Sequence, residues 1–254
     1  MPGEHVVLFP DITVIELAAI AAAAIGASVI GGVAGYGTGA LMPLVLVPIV
    51  GPEPVVPIIA LASLFTNTSR AMAFFRAIDW RRALIVFAAA TPTCILGAYG
   101  YSLLTSKGAL VVIGTMMVLS VPLRRFLHVR GYRCGELGLS AGAFGWGGIV
   151  GGTTGAGIIL LSLLMAAGLE GAAVIATDAV ISVAIGLVKL AVFEVAGIVT
   201  AKVIAVALLI GIVAFPGAFL AKRIVALLPL HLHTAVLDAV VLFGGVLMIG
   251  GALR

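Results

Sequence analysis

Two short glycine-rich stretches hold the residues of this chain best suited to chemistry. The first reads Gly31-Gly32-Val33-Ala34-Gly35-Tyr36-Gly37-Thr38-Gly39, the second Gly151-Gly152-Thr153-Thr154-Gly155-Ala156-Gly157, and both lie inside apolar sequence. A helix broken there leaves backbone N–H groups without partners and a positive dipole end at the start of its second half. Glycine keeps those donors open to approach. Gly35, Gly37, Thr38 and Gly39 on one side, and Thr153, Thr154, Gly155 and Gly157 on the other, therefore form two candidate anion cradles in which threonine hydroxyls add donors. Close helix packing competes with this reading, since Gly31, Gly35 and Gly39 recur at four-residue spacing.

A second group of polar residues sits in stripes on otherwise apolar segments. Ser63, Asn67 and Arg70 share one helix face with Thr66 beside them, and Asp178, Ser182 and Lys189 share another with Thr177 adjoining. Ionisable side chains at membrane depth usually face a cavity or a partner. Asn67, Arg70, Ser182 and Lys189 are accordingly candidate substrate contacts. Asp178 is a candidate proton carrier, with a structural ion pair as the alternative; for Arg70 and Lys189 the alternative is snorkelling to the interface. No phosphate loop, metalloprotease helix, Cys/His cluster or nucleophile elbow occurs, so the expectation is a non-enzyme with no catalytic residue, metal or cofactor. Cys94 and Cys134 have neither disulfide-framework nor metal-ligand spacing.

The elements that carry these residues must be membrane helices. The chain is 63% hydrophobic and 9% charged with a mean hydropathy of +1.32, against about 25% charged in an average soluble domain. Its lipid partner is the bilayer, and the net charge of +4 needs no nucleic acid because the basic residues gather in connecting loops. The N-terminus lacks the basic start of a cleavable signal. Apolar runs fall at 13–33, 39–50, 54–75, 82–104 and 108–127, then at 137–152, 156–168, 171–193, 200–224 and 233–252. One continuous helix over 13–50 would be about 57 Å long at 1.5 Å per residue, nearly twice a hydrocarbon core of about 30 Å. It must break or turn back, and Gly35–Gly39 is the place. Whether 39–50 and 156–168 cross or re-enter stays open.

The two series match at a constant offset of 120 residues, which also places Gly97-Ala98 on Gly217-Ala218, Ile78 on Ile198 and Arg82 on Lys202. The fold expected is an all-α integral membrane protein of two homologous halves with four to five segments each, residues 1–127 and 137–254, joined by a cytoplasmic linker at 128–136. Basic residues gather at 76–82, 124–133 and 222–223. An odd number of crossings per half puts all three clusters on one side, the cytoplasmic one, and makes the second half an inverted copy with glycine-broken helices and both termini outside. Paired breaks in inverted halves point to a transporter's binding site. A glycine-lined anion channel, and a membrane assembly subunit without transport, are the rival classes.

The stretch from Gly31 to Leu44, with Pro43 near its end, resembles the broken first helix of the sulfite exporter TauE/SafE family. Arg76-Ala77-Ile78-Asp79-Trp80-Arg81 resembles that family's Ile-Asp-Trp signature, and Gly97-Ala98 its small-residue pair. The resemblance covers residues 12–252, with two departures: Thr38 interrupts the usual run of three glycines, and no proline in the second copy matches Pro43. It implies a multi-pass plasma-membrane transporter of small inorganic or organosulfur anions such as sulfite, thiosulfate or organosulfonates; with Asp178 as candidate proton carrier, the expectation is ion- or proton-coupled transport, with export the favoured direction. Self-association, the direction of transport and the particular anion are left open by it.

Overall fold

The computed structural model describes residues 12–34, 38–129, 133–154, 156–217 and 230–253. Among them are ten α-helices, one 3₁₀ turn (Phe75–Ala77) and no strand: α1 (Val14–Ala34), α2 (Thr38–Val50), α3 (Val55–Ala73), α4 (Trp80–Ser102), α5 (Ser106–Val129), α6 (Glu136–Gly152), α7 (Gly157–Ala166), α8 (Ala172–Val195), α9 (Ala201–Ala214) and α10 (Leu230–Ala252). The helices fall close to the ten apolar runs. The largest difference is in the ninth, where α9 stops at Ala214, just ahead of Pro216, and residues 218–229 lie outside those described. The hydroxyls of Ser28 and Ser69 donate to the Ala214 and Phe215 carbonyls at 2.5 and 2.7 Å, which serves carbonyls left open at a helix end.

α3, α4 and α8, at 19, 23 and 24 residues, are long and apolar enough to cross a membrane. α2 and α7 have only 13 and 10 residues, about 20 and 15 Å at 1.5 Å per residue, and are too short to span. α7 folds back along α6. The Cys134 N–H before α6 donates to the Ala166 carbonyl at the end of α7 at 2.8 Å, and Leu163 of α7 lies where a side chain at Gly142 of α6 would stand. α6 and α7 thus form a hairpin whose two outer ends meet, with Thr153 and Ala156 at its tip. Leu84, Leu96, Ile212 and Phe243 point outward and are exposed; in water such a surface would drive association, whereas acyl chains satisfy it.

Small residues set the closest helix contacts. A Cβ at Gly97 would collide with the Gly148 carbonyl, and one at Gly151 with the Cys94 carbonyl, so α4 and α6 lie nearly backbone to backbone, the approach that glycine permits in lipid. Contacts of Gly114 with Gly245 and Ile249, and of Gly245 with Met117, make α5 and α10 antiparallel. α3 and α8 also run antiparallel, since Arg70 meets Asp178 near one end while Leu64 meets Gly186 further along. The core forms two clusters, one around Ile20, Met42, Ile58 and Phe193, the other around Trp146, Leu160, Leu164 and Ile181.

Candidate functional site

The α3/α8 crossing brings two of the polar stripes together. Arg70, near the end of α3, lies 3.2 Å from Oδ2 of Asp178 and donates a second bond to Oδ1 of Asn67, one turn back on its own helix. Asp178 is 1% exposed, and its Oδ1 has no hydrogen-bond partner among the described residues. The Arg70 guanidinium is thus held by a carboxylate and an amide and is largely buried. Ser63 and Thr66 donate to carbonyls of their own helix, at Ala60 and Ser63. Ser182 is half-buried one turn beyond Asp178.

The Ile78-Asp79-Trp80 motif abuts this pair. Thr177, adjoining Asp178 and fully buried, accepts the Asp79 backbone N–H at 3.0 Å. The Asp79 carboxylate caps α4 by accepting the Arg82 N–H at 3.0 Å and pairs with the Arg82 guanidinium at 2.5 Å. The cap bond above all holds the Asp79 carboxyl below its ordinary range, by stabilising its charged form. The motif thus fastens the start of α4 to the helix that carries Asp178.

The tip of the α6–α7 hairpin is the second centre. α6 ends at Gly152, Thr153 is extended, and α7 resumes at Gly157 after the cap residue Ala156. Lys189 of α8, 5% exposed, donates from Nζ to the Val150 and Thr153 carbonyls at 2.8 and 2.7 Å. An ammonium has three donors, and two of them satisfy the C-terminal end of α6. Thr153 turns its hydroxyl back to the Ile149 carbonyl at 2.7 Å. Thr154 differs: its Oγ1 is buried and has no partner among the described residues. Trp146 closes the far side by donating from Nε1 to the Ala156 carbonyl at 2.9 Å. Arg70 and Lys189 meet α8 eleven residues apart, about 16 Å at 1.5 Å per residue, and so mark two levels of one helix.

Of the first cradle, Gly35 and Gly37 lie outside the described residues, as does Gly155 of the second. Thr38 and Gly39 begin α2, as Gly157 begins α7. Gly151, which heads the second glycine run, serves the α4–α6 contact. Sequence reasoning passed over Trp146, Tyr101 and Phe193, whose aromatic rings in apolar helices carry no signal apart from core packing. No group of His, Cys, Asp and Glu among the described residues could hold a metal ion.

Apolar helices long enough to cross a bilayer and a buried ion pair between two of them define a helical membrane protein. The family model for the sulfite exporter TauE/SafE matches residues 20–248, nearly the whole chain. The protein belongs to that family. No curated protein and no solved structure matches the chain.

Proposed function

We propose that the protein exports small sulfur-containing anions such as sulfite, thiosulfate or organosulfonates across the plasma membrane, coupled to protons. The observation that carries this reading is the buried, unpartnered hydroxyl of Thr154 at the α6–α7 break. A buried polar group without a partner is unfavourable, and a donor two residues ahead of the helix cap, where the α7 N-terminus adds its positive dipole end, suits an oxyanion. Lys189 binds the carbonyl of the preceding residue, Thr153, and Gly155 and Gly157 are the proposed remainder of the cradle. The first cradle, Gly35, Gly37, Thr38 and Gly39, is its counterpart in the other half, and Asn67, Arg70 and Ser182 line the route between them.

The proposed architecture is an inverted repeat of residues 1–127 and 137–254. Exchanging halves sends α1 to α6, α2 to α7, α3 to α8, α4 to α9 and α5 to α10. The packing partners support it: α4 against α6 becomes α9 against α1, α4 against α8 becomes α9 against α3, and both exchanged pairs occur. α3–α8 and α5–α10 map onto themselves and run antiparallel, as inversion requires. Asp178 is the proposed proton carrier, its buried Oδ1 holding no hydrogen bond that a proton would have to displace and its Oδ2 held by Arg70.

Proteoliposomes under an imposed pH gradient test the reading. Labelled sulfite or thiosulfate should accumulate against its own gradient, and Asp178→Asn should abolish accumulation while anion exchange persists. Flux that only follows the driving force would make the protein a channel, and no flux of any tested anion would sink the proposal.

A further inference from the structure

A cavity of ≈ 360 Å³ opens where the α2–α3, α4–α5 and α8–α9 connections meet, with Glu53, Tyr101, Ser102, Thr200 and Lys202 among its lining residues. Tyr101 forms part of its wall. The Tyr101 hydroxyl shares its proton between the Pro52 and Glu53 carbonyls at 3.0 and 3.1 Å, pinning the end of α4 to the α2–α3 turn. Its ring leans on Phe193 of α8 with centroids 5.9 Å apart. Phe193 is fully buried, and on its ring rests the Lys189 ammonium, 5.8 Å from the centroid, within reach of a cation–π contact. Lys189 in turn holds the Val150 and Thr153 carbonyls at the hairpin tip. An unbroken line of contacts therefore runs from the cavity wall to the break that carries Thr154.

We propose that Tyr101 and Phe193 form an aromatic gate between this cavity and the α6–α7 break, and that an anion passing between them must displace the ring pair. This rests on the transporter reading, because it takes the break as a point on the route. Two further observations support a gate over simple core packing. The rings pack among apolar core residues on their flanks, but along the line of contacts they have the cavity on one side and the Lys189 ammonium on the other. The offset of 120 residues also places Ala221 and Ala73 opposite Tyr101 and Phe193, so each half supplies one ring and the symmetry-related pair carries no bulk. At the other end of α8, the Arg70–Asp178 pair holds the corresponding level by charge. Opening the ring pair loosens the seat of Lys189 on Phe193, which ties the gate to the groups at the break.

The test is a thiol at the break. Thr154→Cys is introduced in the full-length protein with Cys94→Ala and Cys134→Ser, and labelled by a charged, membrane-impermeant thiosulfonate in right-side-out and inside-out vesicles, so that either face is sampled. The parent should label slowly. Tyr101→Ala and Phe193→Ala should each speed labelling by about tenfold from the cavity side, the upper range of a ring–ring contact. Tyr101→Phe, which keeps the ring and loses its two hydrogen bonds, should stay near the parent rate. Phe193→Leu is the milder variant if Phe193→Ala does not fold, and should give a smaller acceleration in the same direction. Unchanged rates in Tyr101→Ala and Phe193→Leu would overturn the gate. Faster labelling in a protein that carries no anion would leave the partition standing and sink the transporter reading; anion flux with unchanged labelling would sink the gate alone.

Discussion

Breaking the Arg70–Asp178 pair should destabilise the protein more than any exposed ion pair, and the size can be worked from its geometry. At the observed 3.2 Å, two unit charges attract by about 5 kcal/mol for an effective dielectric of about 20. That attraction offsets the desolvation of both groups, so the intact pair contributes little net stability. Removing one partner of a buried pair costs about 3–5 kcal/mol, because the other charge stays buried and uncompensated. Asn67 retains one bond to Arg70 and brings the expectation for Asp178→Asn to the lower end, about 3 kcal/mol. At roughly 2–4 °C per kcal/mol for a chain of this size, the apparent melting temperature in detergent should fall by about 6–12 °C. The double variant Arg70→Met, Asp178→Asn should melt well above the sum of the two single losses, with a coupling of about 2 kcal/mol. Heating followed by size-exclusion chromatography reads all three variants. Single shifts below about 2 °C with additive losses would mean that water reaches both charges, and the interior placement of Asp178 would fall with them.

Arg70→Gln or Lys189→Gln should weaken anion uptake into proteoliposomes far more than Arg124→Gln in the linker region; wild-type rates in both, and in their double variant, would leave the glycine cradles to meet the substrate charge alone. Gly157→Val should abolish anion-induced thermal stabilisation while leaving a folded protein, whereas Gly151→Val should mainly lower the melting temperature because its side chain strikes the Cys94 carbonyl. Equal loss of fold and binding in both would favour packing as the sole use of these glycines. The Asp79 carboxyl is held below its ordinary range by the Arg82 N–H, so its charged form stabilises the fold. That contribution is complete above about pH 4 and is lost as pH falls through the depressed value. Asp79→Asn should lower stability at neutral pH by ~1 kcal/mol or less, since asparagine also caps helices, and should flatten the acid limb of a melting-temperature profile; an unchanged acid limb would contradict the assignment.

What the sequence made legible was whatever repeats or breaks a pattern. Ten apolar runs, two glycine interruptions and the polar stripes of α3 and α8 could be read because lipid tolerates few exceptions to apolar composition, and each exception stands out. The Arg70–Asp178 contact could not be read, since residues 108 positions apart meet only through the antiparallel crossing of α3 and α8. The direction of α7 was hidden for a related reason: a run of ten apolar residues reads the same whether it continues outward or turns back, and the hairpin shows only in the Cys134–Ala166 backbone bond and the Leu163–Gly142 contact. The glycines were legible as a pattern and ambiguous in use. Gly151 and Gly157 belong to one run, yet one sits in a helix contact and the other starts a helix. Tyr101 and Phe193 were illegible because an aromatic ring in an apolar helix looks the same in a core as in a partition.

The placement of Lys189 changes how a cation can serve an anion site. A helix that stops and restarts presents about half a negative charge at the end of its first part and half a positive charge at the start of its second. At the α6–α7 break the two ends lie only a few residues apart, so a bound anion would meet nearly cancelling fields. Lys189 binds the carbonyls of the negative end, at Val150 and Thr153, so that in the proposed transporter the α7 N-terminus and the Thr154 hydroxyl would face an incoming anion. The local field then sums to about one positive charge with no flexible side chain on the substrate itself. A cation that grasped the anion directly would have to let go at every cycle; one that neutralises a helix end can stay in place while the substrate passes. On this account, removing the charge at position 189 while keeping a hydrogen-bonding amide, as Lys189→Gln does, weakens anion binding even where the end of α6 remains capped.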